Sequence, residues 1–194
     1  MFQKQITKEE IYELPLKAFE GEVVVVEDKE TLKEVLPELR RQAVLGFDTE
    51  TKPNFKKGIK NNNRVALLQL ASAEKAYLFR LNKLGFPGIL KDLMADDTII
   101  KIGAAIKEDI KCLQEIKDFE PAGFVELQNY VKGFGIESSS VKKLTAIVLN
   151  FRISKNQQLS NWENGKLTPA QMRYAATDAW VCHQIYSSLL VLEN

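Results

Sequence analysis

A strand that ends in acid is the feature that most constrains this chain. Residues 43–51, AVLGFDTET, begin apolar and end in two carboxylates, a pattern that predicts a buried β-strand. Because successive strand residues face opposite sides of a sheet, Asp48 and Glu50 share one face and project side by side. Two like charges there are costly unless a proton or a cation neutralises them. A metal site is one interpretation, and a strand that runs out into solvent is the other.

The composition is that of one globular domain with a sizeable core. The chain has 194 residues, of which 45% are hydrophobic and 27% are charged, ordinary values for such a domain. No apolar run is long enough to span a membrane and no signal-peptide segment is present, so we expect no membrane partner and a cytoplasmic location. Two isolated cysteines and one histidine exclude a zinc ribbon or a disulfide scaffold.

The order of the predicted elements indicates an α/β domain. Three closely spaced strands, at residues 43–51, 64–70 and 76–79, predict an antiparallel meander. Strands and helices alternate after it, and no repeat or long linker divides the chain. We therefore expect one domain over residues 1–194, in which helices flank a mixed central β-sheet.

A basic segment follows the acidic strand directly. Residues 52–64, KPNFKKGIKNNNR, contain five basic residues and no acid, and their glycine and asparagines predict a loop. Such a loop is commonly just solvated, but its position beside the acidic strand equally favours contact with a polyanion. The candidate nucleic-acid contacts in it are Lys56, Lys57, Lys60 and Arg64.

Two further acids lie on helix faces that should point inward. Asp109 belongs to the apolar stripe of a helix predicted at about residues 105–116, and Asp178 to that of a C-terminal helix. Tyr174 lies one turn before Asp178. A single inward acid can be the partner of an arginine or of a helix end. Three separate segments with such acids, however, predict that the carboxylates converge on a cation. Oxygen ligands without cysteine or histidine suit Mg²⁺ or Mn²⁺, and four carboxylates are about what two such ions need.

These residues resemble the signature of the DEDDy-type 3′-5′ exonucleases, a family with a ribonuclease H-like three-layer fold. The Asp-x-Glu motif matches Asp48-Thr49-Glu50, the second motif matches Asp109 after a Lys-Ile-Gly strand end, and the Tyr-x-x-x-Asp motif matches Tyr174 with Asp178. The match covers about residues 23–190 and is similar to the Werner-syndrome exonuclease domain and the ribonuclease D-like group. Glu126 stands where relatives often carry aspartate, and we expect that position to be structural.

The resemblance implies an enzyme that hydrolyses DNA from the 3′ end and releases nucleoside 5′-monophosphates. It implies that Asp48 bridges two divalent cations, that Glu50 and Asp178 hold the ion that activates water, and that Asp109 helps to place the second ion. Tyr174 would orient the water.

Two alternatives to this function stay open at this point. Ribonuclease D-like trimming of RNA uses the same chemistry, and a non-catalytic nucleic-acid-binding domain would keep the fold alone. Trp162, in a Ser-Asn-Trp segment that also matches the family, either stacks on a terminal base or anchors its loop to the core.

Overall fold

A mixed six-stranded β-sheet is the centre of the structure, a computed structural model that describes residues 2–51 and 64–193. The strands are β1 (Glu22–Val26), β2 (Val44–Thr51), β3 (Val65–Ala71), β4 (Lys75–Arg80), β5 (Ile100–Gly103) and β6 (Phe124–Glu126). Their order in the sheet is β1-β4-β3-β2-β5-β6, so the acidic strand β2 lies between two neighbours in the middle of the sheet.

The pairing of the strands confirms the predicted meander. β2 pairs with β3 and β3 pairs with β4 in antiparallel register. β1 pairs with β4, β2 with β5, and β5 with β6 in parallel, and the longer connections of these pairs carry helices. The sheet is therefore mixed, as expected.

The helices agree closely with the sequence pattern. They are α1 (Lys8–Glu13), α2 (Lys29–Leu39), α3 (Leu81–Leu84), α4 (Gly88–Met94), α5 (Ile106–Ile116), α6 (Leu127–Tyr130), α7 (Val141–Leu149) and α8 (Pro169–Leu190). The two helices predicted to carry Asp109 and Asp178 are α5 and α8. Thr168 and Gln171 cap α8 reciprocally, with proline at its first position, because these residues satisfy backbone groups that a helix start leaves unpaired.

Helices cover both faces of the sheet and produce three layers. Leu45 and Phe47 of β2 pack in one hydrophobic cluster with residues of α2, α4 and α5. Val44, on the opposite face, packs in a second cluster with residues of α7 and α8. The predicted α/β class with helices flanking a mixed sheet is thus confirmed. In the part of the chain that the structure describes, no helix combines the length and apolarity needed to cross a membrane.

Helix α8 lies unusually close to β2 because of a glycine. A Cβ added at Gly46 would lie 1.9 Å from the carbonyl oxygen of Ala179, so any side chain there would push the helix away. Ala175, Ala176 and Ala179 are themselves fully buried against the sheet. This close approach brings the residue beside Ala179, Asp178, to the acidic end of β2.

Candidate active site

Three carboxylates meet where α8 crosses the end of β2. Asp48, Glu50 and Asp178 each offer one oxygen atom, and these atoms all lie within 4.8 Å of one another. Asp48 and Glu50 lie on the strand face that α8 covers, as alternation along β2 predicts. Asp178 is only 5% exposed. The group is a set of hard oxygen donors of the kind that binds divalent cations such as Mg²⁺ and Mn²⁺.

The crowding of these acids shifts their protonation. Burial, followed by the charge of Asp178, raises the pKa of Asp48 well above its usual value. Burial and then the charge of Asp48 raise the pKa of Glu50 to about 9. Because each charged carboxylate disfavours ionisation of the next, the group cannot ionise fully at neutral pH without a positive charge beside it.

Lys155 supplies such a charge from the loop between α7 and α8. Its Nζ atom donates to both carboxylate oxygens of Asp178 at 3.1 Å. Burial raises the pKa of Asp178, whereas the charge and hydrogen bonds of Lys155 oppose that rise. The contact of Lys155 with Asp178 was not predicted from sequence, because nothing in a polar loop sequence indicates which lysine turns inward.

Tyr174 lies beside this ion pair, one helical turn before Asp178. Its side chain is 7% exposed. Burial and the charge of Asp178 raise the pKa of the phenol, so the hydroxyl stays protonated at neutral pH. The structure therefore brings a protonated Tyr174 hydroxyl to the edge of the acid group.

Asp109 does not join the group of three. It lies on α5, which packs on the opposite face of β2, and it accepts a hydrogen bond from the hydroxyl of Thr49. Its charge still raises the pKa of Asp48 and of Glu50. The expected convergence of four acids is thus a group of three with a fourth at its side, because α5 and α8 approach β2 from different faces.

Glu126 determines where the helix that carries Asp109 begins. Its carboxylate accepts hydrogen bonds from the backbone amides of Ala105, at 2.9 Å, and Ile106, at 3.0 Å. Ala105 has a left-handed backbone conformation with φ of 60°, which turns the chain sharply from β5 into α5. The expectation that Glu126 is structural is confirmed, since it caps the first turn of α5.

Gln69 is a neighbour of the site that the sequence pattern did not indicate. It lies directly opposite Asp48 in the β2–β3 pair and is fully buried. Neither its amide nitrogen nor its amide oxygen has a hydrogen-bond partner among the described residues. A glutamine in an otherwise apolar strand gives no periodic signal, so only the pairing register reveals that it lies beside Asp48.

The residues predicted to contact nucleic acid lie in different environments or outside the described residues. Lys56, Lys57 and Lys60 lie outside the described residues. Arg64 is exposed just before β3 and lines a surface cavity of about 600 Å³. Trp162 is fully buried and packs with Leu67 and neighbouring core residues. A wholly buried ring has no free face for a base, so its burial favours the alternative in which Trp162 anchors its loop to the core.

Comparisons with known proteins agree with this geometry. The family model described as 3′-5′ exonuclease matches residues 23–192. The chain is 38% identical over 152 residues to the mouse bifunctional 3′-5′ exonuclease/ATP-dependent helicase WRN, covering 75% of this chain and 11% of that protein. The curated relatives are longer proteins, of which the chain spans between about a tenth and two fifths in the first three matches.

Solved structures share the fold over nearly the whole chain. The Nibbler EXO domain of Aedes aegypti has a TM-score of 0.77 at 25% identity, covering 89% of this chain and 90% of that domain. The EXD2 exonuclease domain, in crystals soaked in Mn and Mg or in Mg and dGMP, has a TM-score of 0.50 at 31% identity, covering 89% of this chain and 94% of that domain. With a ribonuclease H-like exonuclease fold and a 3′-5′ exonuclease family model matched over residues 23–192, the chain belongs to the DEDD-type 3′-5′ exonuclease family.

Proposed function

We propose that this exonuclease domain hydrolyses the terminal phosphodiester at the 3′ end of DNA with two divalent cations, Mg²⁺ or Mn²⁺, and releases nucleoside 5′-monophosphates. The observation that carries the proposal is the group of Asp48, Glu50 and Asp178, with ligand atoms within 4.8 Å of one another. An acid group of this kind repels phosphate, so it serves a nuclease only when cations neutralise it.

The residues present fit such cations. Burial and mutual repulsion raise the pKa values of Asp48 and Glu50, and both causes lose their effect once a divalent cation lies among the oxygens. Asp48, Glu50 and Asp178 would hold one ion, and Asp48 with Asp109 would hold the other. Bound ions would supply an activated water and would stabilise the leaving 3′-oxygen.

Tyr174 would orient the attacking water and would not act as its base. Its phenol keeps its proton because burial and the charge of Asp178 raise its pKa. A protonated hydroxyl held one turn from Asp178 can donate a hydrogen bond to a substrate oxygen or accept one from water. Its role is therefore to position reacting groups, which is a matter of geometry.

The choice of DNA is supported by the relatives. The EXD2 exonuclease domain was crystallised and soaked with dGMP, a deoxynucleoside 5′-monophosphate of the class that the proposed reaction releases. RNA differs at the 2′-hydroxyl, which a protein distinguishes through direct contacts to the sugar. The relative rate of cleavage of DNA and RNA is accordingly the first quantity to measure.

The decisive experiment compares DNA and RNA oligonucleotides of one sequence, labelled at the 5′ end, with Mg²⁺, Mn²⁺ or EDTA. We expect a ladder that shortens from the 3′ end of DNA, requires metal, and disappears in Asp48→Ala. Faster shortening of RNA would assign the protein to ribonuclease D-like trimming. Tight binding without cleavage of any substrate would instead assign it to the non-catalytic binding domains.

A further inference from the structure

The ammonium group of Lys155 contacts the atoms that a metal ion would need. Its Nζ lies 3.1 Å from both Oδ1 and Oδ2 of Asp178, so the whole carboxylate is engaged. A divalent cation requires at least one of these oxygens as a ligand. The lysine and the metal therefore require the same carboxylate oxygens of Asp178.

Lys155 places a positive charge against this acid group. Burial raises the pKa values of Asp48, Glu50 and Asp178, and the charge of Lys155 opposes that rise. Within residues 2–51 and 64–193, no other lysine or arginine forms an ion pair with any of the three acids.

The lysine can move without disturbing the core. Its side chain is 35% exposed, whereas that of Asp178 is 7% exposed, and it reaches the site on a flexible stem from the α7–α8 loop. Its Nζ also lies 5.4 Å from the centroid of the Tyr174 ring, an aromatic face that attracts a cation when no anion holds it. A lysine is a mobile point charge with three donors, unlike a fixed arginine fork.

We propose that Lys155 is an exchangeable counter-cation of the active site. It neutralises Asp178 until a divalent cation binds, then leaves that carboxylate and binds a non-bridging oxygen of the substrate phosphate. The second half of this proposal rests on the proposed nuclease function, and the first half does not. Lys155 and the metal thus compete for Asp178, which binds first one and then the other.

The first test measures metal affinity without substrate. Lys155→Met keeps the length of the side chain and removes its charge, and isothermal titration with Mn²⁺ compares it with the parent protein. We expect Mn²⁺ to bind about tenfold more tightly to the variant, within the usual range of coupling between two ligands. Lys155→Arg keeps the charge and can pair with Asp178 through two parallel hydrogen bonds, so it should bind Mn²⁺ no more tightly than the parent. Lys143→Met, in which a partly exposed lysine on α7 is changed, is the matched control.

The second test measures thermal unfolding of the same proteins. In EDTA, Lys155→Met should unfold at a lower temperature than Lys143→Met, because three crowded acids lose their counter-charge. Saturating Mn²⁺ should remove this difference. Weaker Mn²⁺ binding by Lys155→Met would overturn the proposal, since the lysine would then position Asp178 for the metal. Unchanged Mn²⁺ affinity of Lys155→Met would also overturn the proposal. Thermal unfolding of Lys155→Arg like that of the parent would show that substitution at this position does not by itself disrupt folding.

The third test measures turnover on a DNA 3′ end at saturating Mn²⁺. If the ammonium group of Lys155 moves from Asp178 to the substrate phosphate, Lys155→Met should lower kcat by about a hundredfold. Loss of one hydrogen-bond donor to the reacting group has an effect of this size in other enzymes. An unchanged kcat would overturn the second half alone. If the parent protein cleaves no substrate, the proposed function fails, whereas the metal-affinity result still decides the first half.

Discussion

The carboxylate side chains on the two faces of β2 lie in different environments. On the α8 face, Asp48 and Glu50 meet Asp178, and among the described residues Lys155 alone forms an ion pair with this group. On the α5 face, Asp109 is alone and is held by the hydroxyl of Thr49. One face concentrates negative charge, and the other positions a single carboxylate through a hydrogen bond.

The difference has a physical consequence for metal binding. On the α8 face, burial and then mutual repulsion raise the pKa values of Asp48 and Glu50, so a cation bound there is attracted by several acids at once. On the α5 face, burial raises the pKa of Asp109 while the hydrogen bond from Thr49 lowers it. We therefore expect the α8 face to determine metal affinity and the α5 face to determine the placement of reacting groups.

The largest expected effect comes from removing a charge on the α8 face. Asp48→Asn keeps the shape of the side chain and should lower the rate of 3′ cleavage at least about a thousandfold, because a central ligand is lost. In EDTA the variant should unfold at a higher temperature than the parent, since repulsion within the group falls. Asp118→Asn, at an exposed acid away from the site, should change neither cleavage nor unfolding. A less stable Asp48→Asn would contradict the view that repulsion governs this face.

A smaller effect should appear in the pH dependence of stability without metal. The pKa of Glu50 is raised from 4.5 to about 9 in the folded protein, so the folded state binds more protons than the unfolded state between these values. Stability must then fall as pH rises through this window, by at most about 1.4 kcal/mol per pH unit for one group. Denaturant unfolding in EDTA from pH 5 to pH 9 should be less pH-dependent in Glu50→Gln than in the parent. Equal slopes in the two proteins would contradict the raised pKa.

The smallest effect is expected on the α5 face. Thr49→Val removes the hydroxyl that donates to Asp109 and keeps the shape and strand preference of the residue. Cleavage should slow about tenfold, the value of one ordinary hydrogen bond, while Mn²⁺ affinity measured by titration stays within twofold. Thr51→Val, two residues along the same strand, is the control. Loss of Mn²⁺ affinity comparable to that of Asp48→Asn would show that the two faces act as one.

Much of the site was predictable because short spacing determines which side chains share one face of an element. Alternation along β2 placed Asp48 and Glu50 together, and the cap formed by Thr168 and Gln171 set the helical phase that aligns Tyr174 with Asp178. Short connections also predicted the antiparallel pairing of β2, β3 and β4. These features depend on a few neighbouring residues, so the sequence carries them locally.

The remaining features depend on how distant segments pack, and the tertiary structure alone decided them. Helical spacing marked Asp109 as inward but not which face of the sheet α5 would cover. Likewise, nothing local indicated that Lys155 would reach Asp178, that Trp162 would be fully buried, or that Gln69 would lie opposite Asp48. By itself the sequence determined the elements and the acids they present. Packing of α5, α8 and the loop between α7 and α8 against one strand decided which groups meet, because such contacts join residues far apart in the chain.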